Sequence, residues 1–553
     1  MNTSFPLKRL TVAVAFVALA SSTVSDFAFA QQDKQPVGGA GNSVPEKLGT
    51  VRFPTSCSPA SQQQFEHAVA LLHSFYYPNN LKEFTAITEN DPQCAIAYWG
   101  VAISQRPNPL VGPWDNATLK RGLDATQKGL AIALKTERER DWLAAMELFF
   151  KDYEKTSQDA RTLAYEKAMG ELTQKYPDDT EAAIFYALAL NETASHNDKT
   201  YSNQLKAAAI LQKVEAIQPD HPGIIHYLIH SYDYTPIAQK GLPYANKYAQ
   251  VAPAAPHAQH MPSHLYSMLG MWSDSVKSNQ AAIDVMTGII AKSGTGMTHQ
   301  GAPHSWDFMA YAYLQTGQNQ KAKQIVDETN AAQKFPIEPL TVYTALAAVP
   351  ARYALERGDW KEAAALEPRG SKYAQAEAIT WFARAVGSAR SGNTAGIKPA
   401  IDKLKELRAT LEKANQAYWA EQVEVQILAA SAWAAHAQGN KTEARKLMRA
   451  AADLEDASEK HVAMENRLYP MREMLGDMLL EDNNPKLALK EYEATFSSSP
   501  ARLRGLYGAA KAAEMAKDKR KAAMYYGMLV EQTKHADSDR MEIKQAKTYA
   551  MKN

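Results

Sequence analysis

Residues 469–514 read YPMREMLGDMLLEDNNPKLALKEYEATFSSSPARLRGLYGAAKAAE, and small and aromatic residues recur in and after this stretch at a fixed spacing. Ala488 and Tyr492 are followed, 34 residues later, by Ala522 and Tyr526. Small residues let two helices approach closely, and a tyrosine fills the space between neighbouring units. A period of this length with helical apolar spacing predicts repeated pairs of helices.

The same period occurs in the middle of the chain. Pro219 and Pro253 are 34 residues apart, and so are Tyr232 and Tyr266. Glycines also stand at apparent turns between helices, at Gly270, Gly317, Gly358 and Gly439. One match of this kind is weak evidence, but matches over most of the chain indicate that the repeats stack on one another, since a single unit cannot bury its own apolar face.

The pattern resembles the tetratricopeptide consensus. Segments 73–109, 221–272 and 469–514 further resemble a family of secreted bacterial tetratricopeptide proteins. The resemblance implies an all-α fold, an α-solenoid in which helix–turn–helix repeats form a right-handed superhelix. It also implies that the first helix of each repeat lines a concave groove, which is a surface for binding.

The N-terminus has the features of a secretory signal peptide over residues 1–30. Two basic residues at 8 and 9 precede an apolar run at 10–20, and Ala28-Phe29-Ala30 supplies the small residues of a cleavage site. The run is short for a membrane span, although an uncleaved anchor is the alternative interpretation. We therefore expect a periplasmic or secreted protein without a membrane span in the mature chain.

Composition excludes one class of partner. Lys and Arg total 61 and Asp and Glu total 60, so the chain lacks the basic excess that favours nucleic acid. The expected organisation is a flexible leader at 31–50, N-terminal repeats at 51–180, His-rich central repeats at 181–340 and C-terminal tetratricopeptide repeats at 341–553. Cys57 and Cys94 are the two cysteines. In an oxidising compartment we expect them to form a disulfide that ties the N-terminal segment to the first repeats.

Histidines cluster in the central repeats and suggest a site. His226 and His230 are four residues apart, as are His260 and His264, and the two pairs are separated by one repeat of 34 residues. Residues four apart share a helix face, so the four imidazoles should form one patch on neighbouring helices. The tetratricopeptide resemblance places this patch in the groove. It adds further candidates on the same side, namely His257, His304, Asp233 and Asp307.

Imidazole and carboxylate groups are ligands for Cu, Zn, Fe or Mn, so the sequence predicts a divalent transition-metal site in the groove. Met261, Met268 and Met271 would favour copper if they face inward, and a place in the core is their alternative. Duplicated core histidines without a metal are the alternative for the whole patch. Because ligation needs neutral imidazole, affinity should fall below about pH 6.5.

Two further functions stay open at this stage. A metal-dependent enzyme would use an open coordination position, with Asp233, Asp307 or Tyr311 as base or proton relay. The usual motifs of zinc peptidases, serine hydrolases and nucleotide-binding enzymes are absent, so the sequence leaves open whether there is catalysis. A metal-free scaffold would instead hold a protein or peptide in the groove, with Trp99 and Tyr311 as aromatic contacts.

An acidic pair, Glu473 and Asp477, lies on a first helix of a C-terminal repeat. Either it belongs to a solvated face, or it contacts a basic peptide in the groove.

Overall fold

The structure is a computed structural model that describes residues 46–133 and 135–552, and helices form almost all of its regular structure. The helices of the first half are α1 Pro59–His73, α2 Asn79–Asn90, α3 Ala95–Ile103, α4 Asn116–Ala131, α5 Glu137–Phe150, α6 Gln158–Lys175, α7 Thr180–Glu192, α8 Ser202–Glu215, α9 Pro222–Ser231, α10 Leu242–Val251, α11 Pro256–His260, α12 Pro262–Met268 and α13 Trp272–Ser293. Those of the second half are α14 Ala302–Gln315, α15 Asn319–Ala331, α16 Leu340–Arg357, α17 Trp360–Ala365, α18 Ala374–Ser391, α19 Thr394–Lys413, α20 Ala417–Ala437, α21 Lys441–Ala457, α22 Met471–Glu481, α23 Pro485–Thr495, α24 Leu503–Met515, α25 Lys519–Gln532 and α26 Met541–Lys552. Short 3₁₀ turns occupy Pro109–Val111 and Ala238–Gly241, and the described residues contain no strand.

Consecutive helices pack against each other along the chain, as α18 does with α19, α20 with α21 and α24 with α25. Four glycines between such helices have positive φ, from 66° to 80°, at Gly270, Gly317, Gly358 and Gly439. A side chain is disfavoured in this left-handed conformation, so glycine ends the first helix and lets the chain reverse. The predicted all-α, tetratricopeptide-like solenoid is confirmed.

The repeated small and aromatic residues act as predicted in the C-terminal repeats. The ring of Tyr492 lies between helices α22 and α24, where a Cβ added to Gly476 would come within 2.7 Å of it and one added to Gly508 within 2.3 Å. The tyrosine can therefore fill the gap between repeats only because both neighbouring helices carry glycine at that place.

The signal peptide and residues 31–45 of the predicted leader lie outside the described residues. The prediction that the leader extends to residue 50 is wrong for its last part. Leu48 is buried, the carbonyl of Lys47 accepts a hydrogen bond from the Ala254 amide, and the Thr50 amide donates to the Asp220 carbonyl. Residues 46–50 thus belong to the folded body, because they lie against the central repeats.

Cys57 and Cys94 form a disulfide between the segment before α1 and the start of α3. It ties the N-terminal segment to the first repeats, in agreement with the prediction. No helix among the described residues is both long enough and apolar enough to cross a membrane.

The C-terminal repeats fold back onto the central ones. The indole N–H of Trp272 donates to the Ala501 carbonyl at 3.1 Å, and the Gln532 amide donates to the Gln315 carbonyl at 2.7 Å. The loop between α21 and α22, residues 458–470, also reaches the central repeats, where the Glu459 amide donates to the His196 carbonyl at 2.8 Å. Contacts of this kind bring residues distant in sequence to the histidines.

Candidate metal centre

Four central helices carry the predicted histidines. Helix α9 carries His226 and His230, α11 carries His257 and His260, α12 carries His264, and α14 carries His304. The predicted continuous helix through the second pair is interrupted at Pro262, which has no N–H to donate. Met261 nevertheless keeps helical dihedral angles, so the two histidines still share a face.

The first group consists of His226, His230 and His257. One ring nitrogen of each lies within 4.8 Å of the others, and the Nε2 atoms of His226 and His257 are 3.1 Å apart. The ring of Phe75 packs on this group, with its centroid 4.5 Å from that of His226 and 5.4 Å from that of His257. Phe75 itself has a positive φ of 47°, an uncommon conformation for a bulky residue.

The second group consists of His260, His264 and His304, and it repeats the same plan. One ring nitrogen of each histidine also lies within 4.8 Å of the others, and the Nε2 atoms of His260 and His264 are 3.0 Å apart. Phe308 packs on all three rings, with centroid distances of 4.9, 4.9 and 5.2 Å. The two groups are direct neighbours, because the rings of His230 and His264 are 6.1 Å apart.

All six imidazoles have pKa values below the ordinary range. Burial is the main cause in each case, and neighbouring histidines lower several of them further. The pKa of His260 is lowered to about 4, although hydrogen bonding to Asn279 opposes the shift. The rings are therefore neutral near pH 7, which is the form that binds a metal ion.

Hydrogen bonds hold three rings by their Nδ1 atoms. Nδ1 of His226 lies 2.6 Å from the carbonyl oxygen of His73, Nδ1 of His260 lies 2.6 Å from Oδ1 of Asn279, and Nδ1 of His264 lies 2.7 Å from Oδ2 of Asp233. Since the Asn279 amide donates to the Ser275 carbonyl, its Oδ1 is the acceptor. Each partner is thus an acceptor.

These contacts decide where the protons lie. A neutral ring that donates from Nδ1 has an unprotonated Nε2. His260 and His264 therefore direct two lone pairs at each other across 3.0 Å. Nε2 of His230 and Nδ1 of His304 are also buried without a hydrogen-bond partner. A cation between these nitrogens would remove the repulsion, so the donor set fits a metal ion.

The structure separates the roles of the two predicted aspartates. Oδ2 of Asp233 accepts a hydrogen bond from Nδ1 of His264 and thereby holds this ring. Lys460 lies 3.6 Å from the same carboxylate oxygen and favours the charged form of Asp233. Burial raises the pKa of Asp233, while Lys460 acts in the opposite direction. Asp307 does not join either group, because its carboxylate accepts from Nε of Arg352 at 2.8 Å. Its prediction as part of the metal shell is wrong.

The predicted groove aromatics are not available to a ligand. Trp99 is fully buried, and its ring contacts Phe53, Trp142 and other aromatic residues of the N-terminal core. Tyr311 is also fully buried, and its hydroxyl accepts from Arg502 at 2.8 Å. Both were misplaced because large aromatic residues at helical spacing look alike whether they face a groove or a core.

The acidic pair is also internal. Glu473 is buried and accepts from Nε of Arg502 at 2.8 Å, and burial raises its pKa to about 7. Asp477 is partly buried and accepts from the hydroxyl of Tyr492 at 2.6 Å, with Arg504 3.2 Å away. Neither interpretation made from the sequence holds, because both carboxylates have partners within the repeats.

The methionines do not add to the donor set. Met261 and Met268 are buried in the hydrophobic core, and the sulfur of Met268 accepts from the Thr235 hydroxyl. Met271 caps the start of α13 and is partly exposed. The methionine argument for copper is therefore not supported by their positions.

A third histidine cluster was missed. His73 and His221 both contact the carboxylate of Glu181, at 2.9 and 2.8 Å, and all three residues are fully buried or nearly so. His221 lies immediately before α9. No spacing in the sequence links these residues, which lie 108 and 40 positions from Glu181. Phe308, by contrast, follows His304 by four residues and could have been found on the same helix face.

A chamber of about 990 Å³ opens beside the first histidine group, and His230 and Asp233 form part of its wall. Other parts of the wall come from residues 109–116, 153–163, 191–197, 414–421 and 460–462. Two connecting segments contribute to this wall, namely the proline-containing residues 109–114 and the residues 193–197 that follow α7. Segments that connect the helices of a rigid scaffold often carry its binding residues. The glycine-containing loop between α13 and α14, residues 294–301, does not contribute to the wall.

No family model matches the chain, and no curated protein matches it. Among solved structures, a human IFIT1 dimer with m7Gppp-AAAA is 13% identical with a TM-score of 0.37, covering 80% of this chain and 90% of the other. A tetratricopeptide repeat protein from Parabacteroides merdae ATCC 43184 is 12% identical with a TM-score of 0.27, covering 54% and 98%. Such values bear on neither ligand nor activity. The repeated helix pairs and their turn glycines themselves show that this chain is a tetratricopeptide-like helical-repeat protein.

Proposed function

We propose that this protein is an exported metalloprotein that holds two transition-metal ions side by side, one in each group of three histidines. The observation that carries the proposal is the 3.0 Å separation of the Nε2 atoms of His260 and His264 in a buried site, where the acceptors at both Nδ1 atoms imply that neither Nε2 has a proton. Without a cation, this arrangement would leave two lone pairs in repulsion. With one, the lone pairs become ligands.

The surroundings support the same conclusion. Imidazoles that bind metal ions usually donate their other N–H to a carbonyl or carboxylate, and His226, His260 and His264 each do so. An ion held by three imidazoles keeps a coordination position at which it can polarise a bound group. Three nitrogen ligands without sulfur suit Zn or Cu, and Fe or Mn are the other candidates.

Export is part of the proposal. It is supported by the arrangement of basic, apolar and small residues over 1–30 and by the Cys57–Cys94 disulfide, because disulfides persist in oxidising compartments. A periplasmic or secreted location follows from the same two features.

A metal-dependent enzyme is the second candidate, and the chamber favours it over simple metal storage. A storage site needs no space for another molecule, whereas here a cavity of about 990 Å³ borders His230 and Asp233. The scaffold alternative has lost two of its predicted contacts, because Trp99 and Tyr311 are buried. Binding of a peptide partner in the groove therefore stays a prediction that these two aromatic residues do not support.

The test is elemental analysis of the protein purified without affinity tag or chelator. We expect about two equivalents of metal, lost in the variant with His226, His230, His260 and His264 all changed to Ala. His299→Ala is the matched control, because this histidine belongs to neither group. The proposal fails if the parent protein takes up none of Cu, Zn, Fe and Mn tightly, or if the fourfold variant binds them equally well.

A further inference from the structure

The chamber beside the first histidine group is lined by aromatic and charged side chains that belong to neither histidine group. It is large enough for a small organic molecule, and its inner end is formed by residues next to the metal ligands. An inference about its occupant rests on the proposed function, because the molecule would lie against the metal centre.

Aromatic rings form much of the inner wall. Tyr418 stacks on His196 with ring centroids 4.2 Å apart, and Trp419 lies against His461 at 4.7 Å. All four residues belong to the chamber wall, together with Tyr234. Aromatic rings pack favourably on one another at such distances. A flat aromatic molecule in the chamber can therefore stack on this wall, and the wall favours it over an aliphatic molecule.

Two groups of opposite charge stand at the same end. The Lys460 ammonium lies 3.6 Å from Oδ2 of Asp233, and its other contact is the Met464 carbonyl at 3.4 Å. An ammonium group has three donors, so both contacts leave it capacity for another acceptor. Oδ1 of Asp233 is buried without a hydrogen-bond partner and needs a donor.

A hydroxyl group satisfies both needs at once. It can accept from Lys460 and donate to Oδ1 of Asp233, whereas a carboxylate would bring a negative charge to Asp233 and an ether would have no hydrogen to donate. A neutral hydroxyl is therefore the polar group that this end of the chamber recognises.

We propose that the chamber binds a phenol-class molecule, with its ring against the aromatic wall and its hydroxyl between Lys460 and Asp233, beside the metal ligand His230. The loop at 458–470 completes this site. The Glu459 amide donates to the His196 carbonyl at 2.8 Å, and the hydroxyls of Tyr201 and Tyr418 donate to Glu459. These bonds hold Lys460 and His461 in the wall.

The test compares three probes by calorimetric titration of the zinc-loaded protein: p-cresol, its methyl ether 4-methylanisole, and 4-methylbenzoate. Zinc is redox-inactive, so binding is measured without turnover. We expect p-cresol to bind at least about tenfold more tightly than the other two. In Lys460→Met that preference should largely disappear.

A second variant blocks the chamber without disturbing the core. Ser195 is exposed and lies in the chamber wall, so Ser195→Trp should abolish p-cresol binding while preserving the fold. Ser497→Trp is the matched control, because Ser497 is exposed and is not part of the chamber wall, and it should bind p-cresol as the parent does.

The outcomes separate this inference from the metal centre. If the protein holds two metal ions but p-cresol binds no better than its ether, or binds Ser195→Trp equally well, the phenol inference is overturned and the metal centre stands. If no metal binds but p-cresol still shows the expected preference in the metal-free protein, the metal function fails and the hydroxyl-recognising chamber remains.

Discussion

Two sets of buried histidines lie around helix α9, and they differ in what faces their nitrogens. In the cluster of His73, His221 and Glu181, a carboxylate stands between the two rings at 2.9 and 2.8 Å. Burial raises the pKa of Glu181, but the two histidines more than offset it and lower the value to about 2. In the two groups of three histidines, ring nitrogens face one another with no acid between them.

This difference distinguishes a structural role from the metal-binding role that we propose. Around Glu181, the histidine nitrogens that contact the carboxylate already face a negative charge of the protein, so those nitrogens need no cation. Histidines that direct lone pairs at one another are satisfied only when something positive is bound. The clusters are also connected, because the backbone carbonyl of His73 accepts from Nδ1 of His226. The cluster around Glu181 thus positions one imidazole of the first histidine group.

The largest effect is expected from removing one group at a time. His260→Ala combined with His264→Ala should cost the protein one of its two metal ions and leave the other in the group of His226, His230 and His257. Removing direct ligands should lower affinity at that site by more than the roughly 100-fold found for outer contacts. The measurement is metal stoichiometry by elemental analysis after dialysis.

His299→Ala again serves as control for that experiment. If the double variant loses both ions together, the two groups form one inseparable site. The six histidines would then be a single metal centre instead of two.

The second effect tests the satisfied cluster. Glu181→Gln keeps the shape but removes the charged hydrogen-bond acceptor between His73 and His221, and a hydrogen bond to a charged group contributes about 1.5–3 kcal/mol to the unfolding free energy. Because folding lowers the pKa of Glu181 from 4.5 to about 2, its contribution is present above pH 4.5 and is lost as pH falls toward 2. Urea unfolding at several pH values measures both.

The matched control is Glu139→Gln, which changes another buried glutamate that bonds to Ser56 instead of histidine. Metal content should stay at two equivalents in Glu181→Gln. An unfolding free energy unchanged near pH 7 would mean that this cluster is not held by charge.

The fold could be predicted from the sequence because each repeat has the same pattern of packing residues, so the pattern occurs many times along the chain. Tyr492 and Tyr526 stand at equivalent places, so a local pattern sufficed. The ladder of His226, His230, His260 and His264 was found for the same reason, since it follows the repeat period. Features that follow the repeat period can be found from the sequence alone, without knowledge of contacts between distant residues.

Contacts between distant repeats could not be predicted in this way. Asp307 stands on the same helix as His304, but Arg352 from another repeat binds it. Lys460 reaches Asp233 from a loop 227 positions later, and no period connects the two. Glu473 was misinterpreted although its partner Arg502 lies only 29 residues later, because no spacing in the sequence marks the two as a buried pair. The charge partners of buried groups depend on how the superhelix closes.

The third effect concerns the carboxylate behind His264. Asp233→Asn keeps a hydrogen-bond acceptor in place but removes its charge, so the imidazole becomes a poorer ligand. Changes to such outer contacts typically lower metal affinity about 10–100-fold. Competition with a chelator of known affinity measures the change, and stoichiometry should stay at two. Asp307→Asn is the control, because Asp307 binds Arg352 instead of a ligand. Equal losses in both variants would indicate general destabilisation.

The smallest expected effect concerns the pH dependence of metal affinity. Between about pH 7.5 and about pH 6, where exposed histidines would lose affinity, the buried histidines should keep it. An ordinary histidine has a pKa of 6.5, and the sequence alone therefore predicts weaker metal binding below that value. Burial lowers the pKa of all six imidazoles, and that of His260 falls to about 4. The folded protein then has almost no protons to displace at pH 6.

Affinity should consequently change less than about threefold between about pH 7.5 and about pH 6, and it should fall only as the pH approaches 4. The same chelator competition, repeated across this range, gives the result. A short peptide with two histidines four residues apart is the reference, because its exposed imidazoles gain protons below pH 6.5. If the protein loses affinity in parallel with the peptide, its histidines titrate as exposed groups do, and the buried, cation-requiring arrangement of His260 and His264 is wrong.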